Sequence, residues 1–300
     1  MKLQLTHVSK RYQDKVAVQD VSLTLSPGIW GLLGANGAGK TTLLRMLVNN
    51  LSPSAGVITL DGTDIQRMGA DYRRRLGYLP QDAGFGRDFL VKDYLAYMAA
   101  LKAVPQRQTR REIDQLLDVL TLTEVKNKRI AKLSGGMKRR VGIAQALLGD
   151  PKILIMDEPT AGLDPGERVR FRNLIAQLAR DRLILISTHI VSDIEYLADR
   201  NIMMKAGRVV DVGTTDHLVR QIQGKVWEGL IPGKELPAYE MRLPIISQHS
   251  CADGQVAIRY LADQAAIDGS TAAAPRLEDL YLWLFPQAAK DEEATNDAAI

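Results

Sequence analysis

The chain has 300 residues, 46% of them hydrophobic and 25% charged, with a formal net charge of +4. That balance suits a globular protein with a full core in one large domain or two, and so mild a positive charge gives no argument for a nucleic-acid partner. The single cysteine, Cys251, excludes an intramolecular disulfide and fits a reducing compartment, and no apolar run is long enough to span a membrane as a helix.

Met1–His7 holds no apolar stretch of signal-peptide length. Lys2–Val8 and Val16–Leu25 alternate polar and apolar residues, the pattern of half-buried strands. Pro27-Gly28 turns the chain into an apolar strand, Ile29-Trp-Gly-Leu-Leu33. Next comes Gly34-Ala-Asn-Gly-Ala-Gly-Lys-Thr-Thr42, and then a second apolar run, Leu43–Val48. A G-x-x-x-x-G-K-[ST] pattern between a strand and a helix is a phosphate-binding loop. Gly34, Gly37 and Gly39, with Asn36 and Ala38 between them, let backbone N–H groups close around phosphate oxygens. The helix N-terminus adds partial positive charge. Lys40 is expected on the β- and γ-phosphates, Thr41 on Mg²⁺, and Thr42 offers a second hydroxyl at the same helix start.

Pro53–Gly56 and Asp61-Gly62 bracket a short strand, Val57–Leu60, so the opening reads as a small β-layer joined to an α/β core. From about 88 to 148 the chain is helix-rich, with Ile113, Leu116, Leu117 and Leu120 at helical spacing. The basic runs Arg73–Arg75 and Lys138–Arg140 read as solvated helix faces or phosphate-adjacent positions. Lys152–Asp157 is a buried strand ending in acids, Arg168–Leu178 a helix, and Leu183–Ser187 another buried strand. Uniformly apolar short strands alternating with helices imply a parallel sheet covered on both faces. Beyond Gly224, strands are expected at Lys225–Ile231, Arg242–Ser247 and Gln255–Leu261, and a helix with an aromatic face at Leu277–Phe285. The expected organisation is a domain at 1–223 with a helical subdomain at about 88–148, a small α+β appendage at 224–288, and a polar, disordered tail at 289–300. The fold class is α/β: a phosphate-loop NTPase core with an antiparallel β-subdomain and a helical insert.

Asp157 and Glu158 fall at the C-terminal end of a core strand, where ligands bind in open α/β sheets. The first acid is placed to hold Mg²⁺ and the second to orient or deprotonate a water. Ser134-Gly135-Gly136 opens another helical run, again an anion-binding arrangement. Two phosphate-binding helix starts in one chain are explained economically if the second serves a nucleotide held by another subunit. His7, His217 and His249 have no metal-ligand spacing. Phe85, Phe89, Tyr94 and Tyr97 suit either a partner surface or the core of the insert.

From Met1 to about Arg220 the chain resembles the ATP-binding cassette (ABC) ATPases. The resemblance rests on Tyr12, the phosphate loop, Gln81 in Tyr-Leu-Pro-Gln, the signature Leu133–Met137, Asp157-Glu158, the loop Ala161–Asp164 and His189 in Ser-Thr-His, in that order. It implies that Tyr12 stacks on adenine, that Thr41, Gln81 and Asp157 form the Mg²⁺ environment, that Glu158 polarises the attacking water, and that His189 contacts the γ-phosphate. It also implies a head-to-tail dimer with a second copy or a homologous cassette, each ATP lying between the phosphate loop of one chain and Ser134-Gly135-Gly136 of the other. The groove near Gln81–Tyr97 would engage a separate transmembrane permease, holding the chain in the cytoplasm at the inner face of the cell membrane. The family's usual signature has Gln where this chain has Met137, which cannot replace an amide's hydrogen bonds; some exporter-type members are similar here. The C-terminal section resembles appendages of export- or drug- and peptide-resistance-type cassettes. A membrane-associated regulatory ABC ATPase and a soluble non-transport ABC ATPase stand as alternatives.

Overall fold

The computed structural model of the protein describes residues 1–82, 84–86 and 88–286. The chain forms two compact units, Met1–Val210 and Asp211–Ile300. The polar tail expected at 289–300 lies outside the described residues.

The first unit contains strands β1 (Leu3–Tyr12), β2 (Lys15–Leu25), β3 (Gly28–Leu33), β4 (Ala55–Leu60), β5 (Thr63–Asp64), β6 (Leu76–Leu79), β7 (Ile153–Asp157), β8 (Leu183–Thr188), β9 (Arg200–Lys205) and the start of β10 (Arg208–Gly213). One sheet has the order β2-β1-β4-β5 and is antiparallel, with Leu3 opposite Leu25 and Leu60. Its alternation puts Leu3, Leu5, Val8, Val18, Val21, Leu25, Ile58 and Leu60 in the core. The second sheet has the order β10-β9-β3-β8-β7-β6, and β9, β3, β8, β7 and β6 run parallel. Every residue of β7 and β8 is buried, as expected of a parallel sheet covered on both faces. Parallel strands end together, so β3, β7 and β8 deliver Gly34, Glu158 and His189 to one edge of the sheet.

The helix-rich segment consists of α1 (Val91–Leu101), α2 (Gln106–Val119) and α3 (Gly135–Leu147) with short turns between. Ile113, Leu117 and Leu120 are buried, as their spacing requires. Lys102 closes this group by donating from Nζ to the Ala146 and Leu148 carbonyls at 3.1 and 2.9 Å. Burial pushes its pKa down to about 8, against an upward pull from Glu112. The expected solvated face at Lys138–Arg140 is corrected for two of its residues. Arg140 pairs with Glu167 at 3.1 Å and donates to the Leu120 carbonyl at 3.1 Å, while the Arg139 guanidinium is spent on main-chain carbonyls. Arg73, Arg74 and Arg75 are exposed.

The second unit is built on β11 (Val226–Pro232), β12 (Ile245–Ser250), β13 (Gln255–Leu261) and β14 (Thr271–Ala272), an antiparallel sheet in the order β12-β13-β11-β14. Its core is Ile231, Ile258, Tyr260 and Ile267, with Trp227, Leu243 and Ile245 against it. The strand expected at Arg242–Ser247 begins later, at Ile245. Arg242 and Leu243 still donate their N–H groups back to the Tyr239 carbonyl, so the chain is turning until Pro244. The helix Leu277–Leu284 is tied to the sheet by Arg259, whose Nε and Nη2 donate to both oxygens of Asp279 at 2.9 and 2.6 Å. Thr215–Val219 packs on that helix, so the second unit opens ahead of Gly224. Among the described residues no helix is long and apolar enough to cross a membrane.

Candidate nucleotide site

The loop between β3 and the helix Lys40–Leu47 is shaped by glycines that cannot be replaced. A Cβ on Gly34 would lie 2.3 Å from the Met204 carbonyl oxygen, and one on Gly39 would lie 2.4 Å from that of Ala17. Gly39 is left-handed (φ 102°) where it caps the helix, and Gly37 is left-handed at φ 79°. Lys40 is buried and its Nζ donates to the Gly34 carbonyl at 2.6 Å. Burial holds its pKa below the ordinary lysine value, while Glu158 and Asp157 pull upward. A cleft of about 700 Å³ opens here, lined by Lys15, Val16, Ala17, Asn36, Gly37, Ala38, Gly39, Lys40, Thr41, Thr42, Gln81, Glu158, His189, Ala206 and Gly207.

At the end of β7, Asp157 is almost fully buried. Its Oδ1 accepts from the Ser187 hydroxyl on β8, and its Oδ2 is buried with no hydrogen-bond partner. Glu158 has a left-handed backbone, φ 50°, and donates its N–H to the Ser187 carbonyl at 3.0 Å. Its Oε2 lies 2.9 Å from His189 Nδ1 and accepts the His189 backbone N–H at 3.4 Å. The strand ends thus bring the phosphate loop, Gln81, Glu158 and His189 to one cleft.

Gly34 and Asp157 are not in that lining, and two further elements stand apart from it. Ser134 caps α3, its Oγ accepting the Met137 N–H at 3.2 Å, but Ser134, Gly135 and Gly136 do not line the cleft. A Cβ on Gly136 would meet the Glu167 carboxylate at 2.3 Å, whereas Gly135 faces open space. Tyr12 sits opposite Lys15 at the β1–β2 turn, 42% exposed, with Lys10 Nζ 5.5 Å from its ring centre. It too lies outside the lining, where Val16 is present. Around the aromatic group, Tyr94 is buried and meets Phe85 and Phe89 edge-on, while Phe89 and Tyr97 are exposed.

Sequence reasoning missed Ser187, Val16 and Arg139. Ser187 is one polar residue at the end of an apolar strand, a weak signal that becomes meaningful only once β7 and β8 are paired. Arg139 lies in a basic triplet of no evident periodicity. Its Nη1 donates to the Pro80 and Gln81 carbonyls at 3.0 and 2.9 Å, its Nη2 to those of Asp157, at 2.7 Å, and Glu158, and its Nε to that of Pro159 at 3.0 Å.

The sequence profile of the ABC transporter family matches residues 18–161. The Nod factor export ATP-binding protein I of Burkholderia orbicola is 34% identical over 297 residues, covering 95% of this chain and 97% of its own. The ABC transporter ATP-binding protein NatA of Bacillus subtilis is 40% identical over 221 residues, covering 71% and 90%. A solved ATP-binding subunit of an ABC transporter superposes with a TM-score of 0.66 at 29% identity, covering 74% of this chain and 93% of that one. With the phosphate loop, Glu158 and His189 converging on one cleft, these likenesses show that the chain belongs to the ABC transporter family as an ATP-binding, ATP-hydrolysing subunit.

Proposed function

We propose that the chain drives export through a separate membrane permease, closing on ATP as a head-to-tail dimer with a second copy or a homologous cassette. The observation that carries this is the pair of phosphate-binding helix starts. One lines the cleft, and Ser134-Gly135-Gly136 does not, which suits a role toward a nucleotide bound by another chain. The export reading is supported by the relative named for Nod factor export, whose match extends through the second unit. The permease reading is supported by the lack of a membrane-crossing helix among the described residues and by the exposed Phe89 and Tyr97, which follow Gln81 in the sequence. In this reading the protein is peripheral at the inner face of the cell membrane, and no nucleic acid takes part.

At the site, Lys40 and the loop amides hold the phosphates, Tyr12 or the neighbouring Val16 edge supports adenine, and Glu158 takes a proton from the attacking water while His189 orients it. Mg²⁺ fits the residues present: the orphaned, buried Asp157 Oδ2, the Thr41 hydroxyl and the Gln81 amide offer the oxygen ligands a hard cation takes. Bound there, the ion would neutralise phosphate charge. Catalysis in this site is positioning and charge stabilisation. ATP closes the dimer through contacts to both halves, and hydrolysis removes them.

The test is ATP-dependent association. The full chain carrying Glu158→Gln is expected to shift to a dimer on size exclusion with ATP and to stay monomeric with Ser134→Arg added. A monomer at every ATP concentration, with nucleotide bound, would overturn the dimer.

A further inference from the structure

Arg139 spends all of its donors on main-chain carbonyls of two segments that lie past the paired register of β6 and β7. The paired register of β6 and β7 ends at Leu79 and Met156. Past it come Pro80-Gln81 on one side and Asp157-Glu158-Pro159 on the other, and both segments contain a proline, which has no N–H to give a ladder. Arg139 reaches across from α3 and donates five hydrogen bonds, to Pro80, Gln81, Asp157, Glu158 and Pro159. A guanidinium has five N–H donors in a rigid fork, and here every hydrogen bond goes to backbone, none to a carboxylate. Removing a charged group from water is costly unless its donors are satisfied, and burial does hold the Arg139 pKa below the ordinary arginine value, against the pull of Asp157 and Glu158. The arrangement is therefore a built one rather than a side chain folded down from solvent.

We infer that Arg139 is a positioning residue for ATP hydrolysis: it fixes the carbonyls after β6 and β7 relative to each other, so that Gln81 and Glu158 face one cleft. The Glu158 backbone is left-handed, a conformation that persists only where its surroundings hold it, and Arg139 grips its carbonyl directly. Because Arg139 lies one turn into the helix that Ser134 caps, the same side chain makes the first turn of α3 and the catalytic edge of the sheet a single rigid piece. A shift of the Ser134 helix start is thus passed to Gln81 and Glu158 without a change in the strands. The inference rests on the reading of Gln81 and Glu158 given above and adds a residue that does not line the cleft.

The experiment measures ATPase kinetics of the full chain carrying Arg139→Gln, Arg139→Lys or Arg139→Ala, with Glu158→Gln alongside. A misplaced catalytic group costs about 10²-fold in rate, so kcat is expected to fall by about that factor while KM for ATP stays within about threefold of wild type, the split expected when only transition-state geometry is lost. Arg139→Lys keeps the charge without the fork and is expected to show most of the loss. Millimolar guanidinium is expected to restore part of the Arg139→Ala kcat and leave KM unmoved, which general loosening of the fold would not do. If the alanine variant does not fold, the lysine and glutamine variants decide by the same split. Wild-type kcat in the Arg139 variants while Glu158→Gln is inactive overturns the inference, as does a KM that rises in step with the loss of kcat. Turnover retained in Glu158→Gln alone strikes the reading of Glu158 instead.

Discussion

His189 Nδ1 stands 2.9 Å from Glu158 Oε2, and the backbone N–H of the same histidine points at the same oxygen. One carboxylate oxygen is therefore held by the end of β8, in a residue that lines the cleft. This geometry suits a base whose reactive oxygen is aimed by a neighbour. Glu158→Gln is expected to keep ATP binding and lose turnover, and His189→Ala to lower kcat by about 10²-fold or more with nucleotide affinity largely retained. Steady-state hydrolysis and nucleotide titration check both. Near wild-type turnover in Glu158→Gln would remove it as the base.

Tyr12 is half-exposed at a hairpin end while Val16 lines the cleft. Stacking on a base contributes about 1–3 kcal/mol and does so equally in ground and transition states. Tyr12→Ala is expected to raise KM for ATP and change kcat little. An unchanged KM would assign adenine to the Val16 edge instead.

How much of this was legible beforehand follows from the kind of signal each residue leaves. The phosphate loop, Asp157-Glu158 and His189 sit at the ends of uniformly apolar strands, so pattern and chemistry coincide and their convergence could be read from order alone. Arg139 and Ser187 act through partners far along the chain, at Gln81 and Asp157, and no local spacing marks them. The strands Arg200–Lys205 and Arg208–Gly213 went unread because their residues are mixed and short, and only pairing beside β3 gives them their state. In the second unit the late start of β12 reflects a turn closed by Tyr239, again a contact rather than a pattern.

Lys102 gives a pH signature. Its folded pKa is lowered to about 8 by burial, against an ordinary 10.5. Between those values the unfolded chain holds more protons than the folded one, so stability rises with pH across that window and is flat below it. Lys102→Met is expected to remove that rise. Thermal melts of both proteins from about pH 7 to about pH 10 compare the slopes. Identical slopes would mean that Lys102 keeps its proton when folded.

In the second unit, Asp279 is almost fully buried and accepts from Arg259 and from the Arg276 N–H, at 2.6 Å in the latter case. Removing one partner of such a pair leaves an uncompensated charge and costs about 3–5 kcal/mol. Asp279→Ala is expected to lower the denaturant midpoint reported by Trp227 and Trp283 fluorescence. A midpoint close to wild type would show that Arg259 finds enough support in Glu228 and the Ala274 carbonyl.

The left-handed backbone at Glu158 sets fitness for folding against fitness for work. A side chain there costs roughly 1–2 kcal/mol relative to a residue without a Cβ, so glycine or asparagine would suit the turn better than the acid proposed as the base. With Glu158 in that proposed role, the position is one where a stability-guided redesign would choose an inactive protein, and where a gain in melting temperature would be the warning that turnover had been lost.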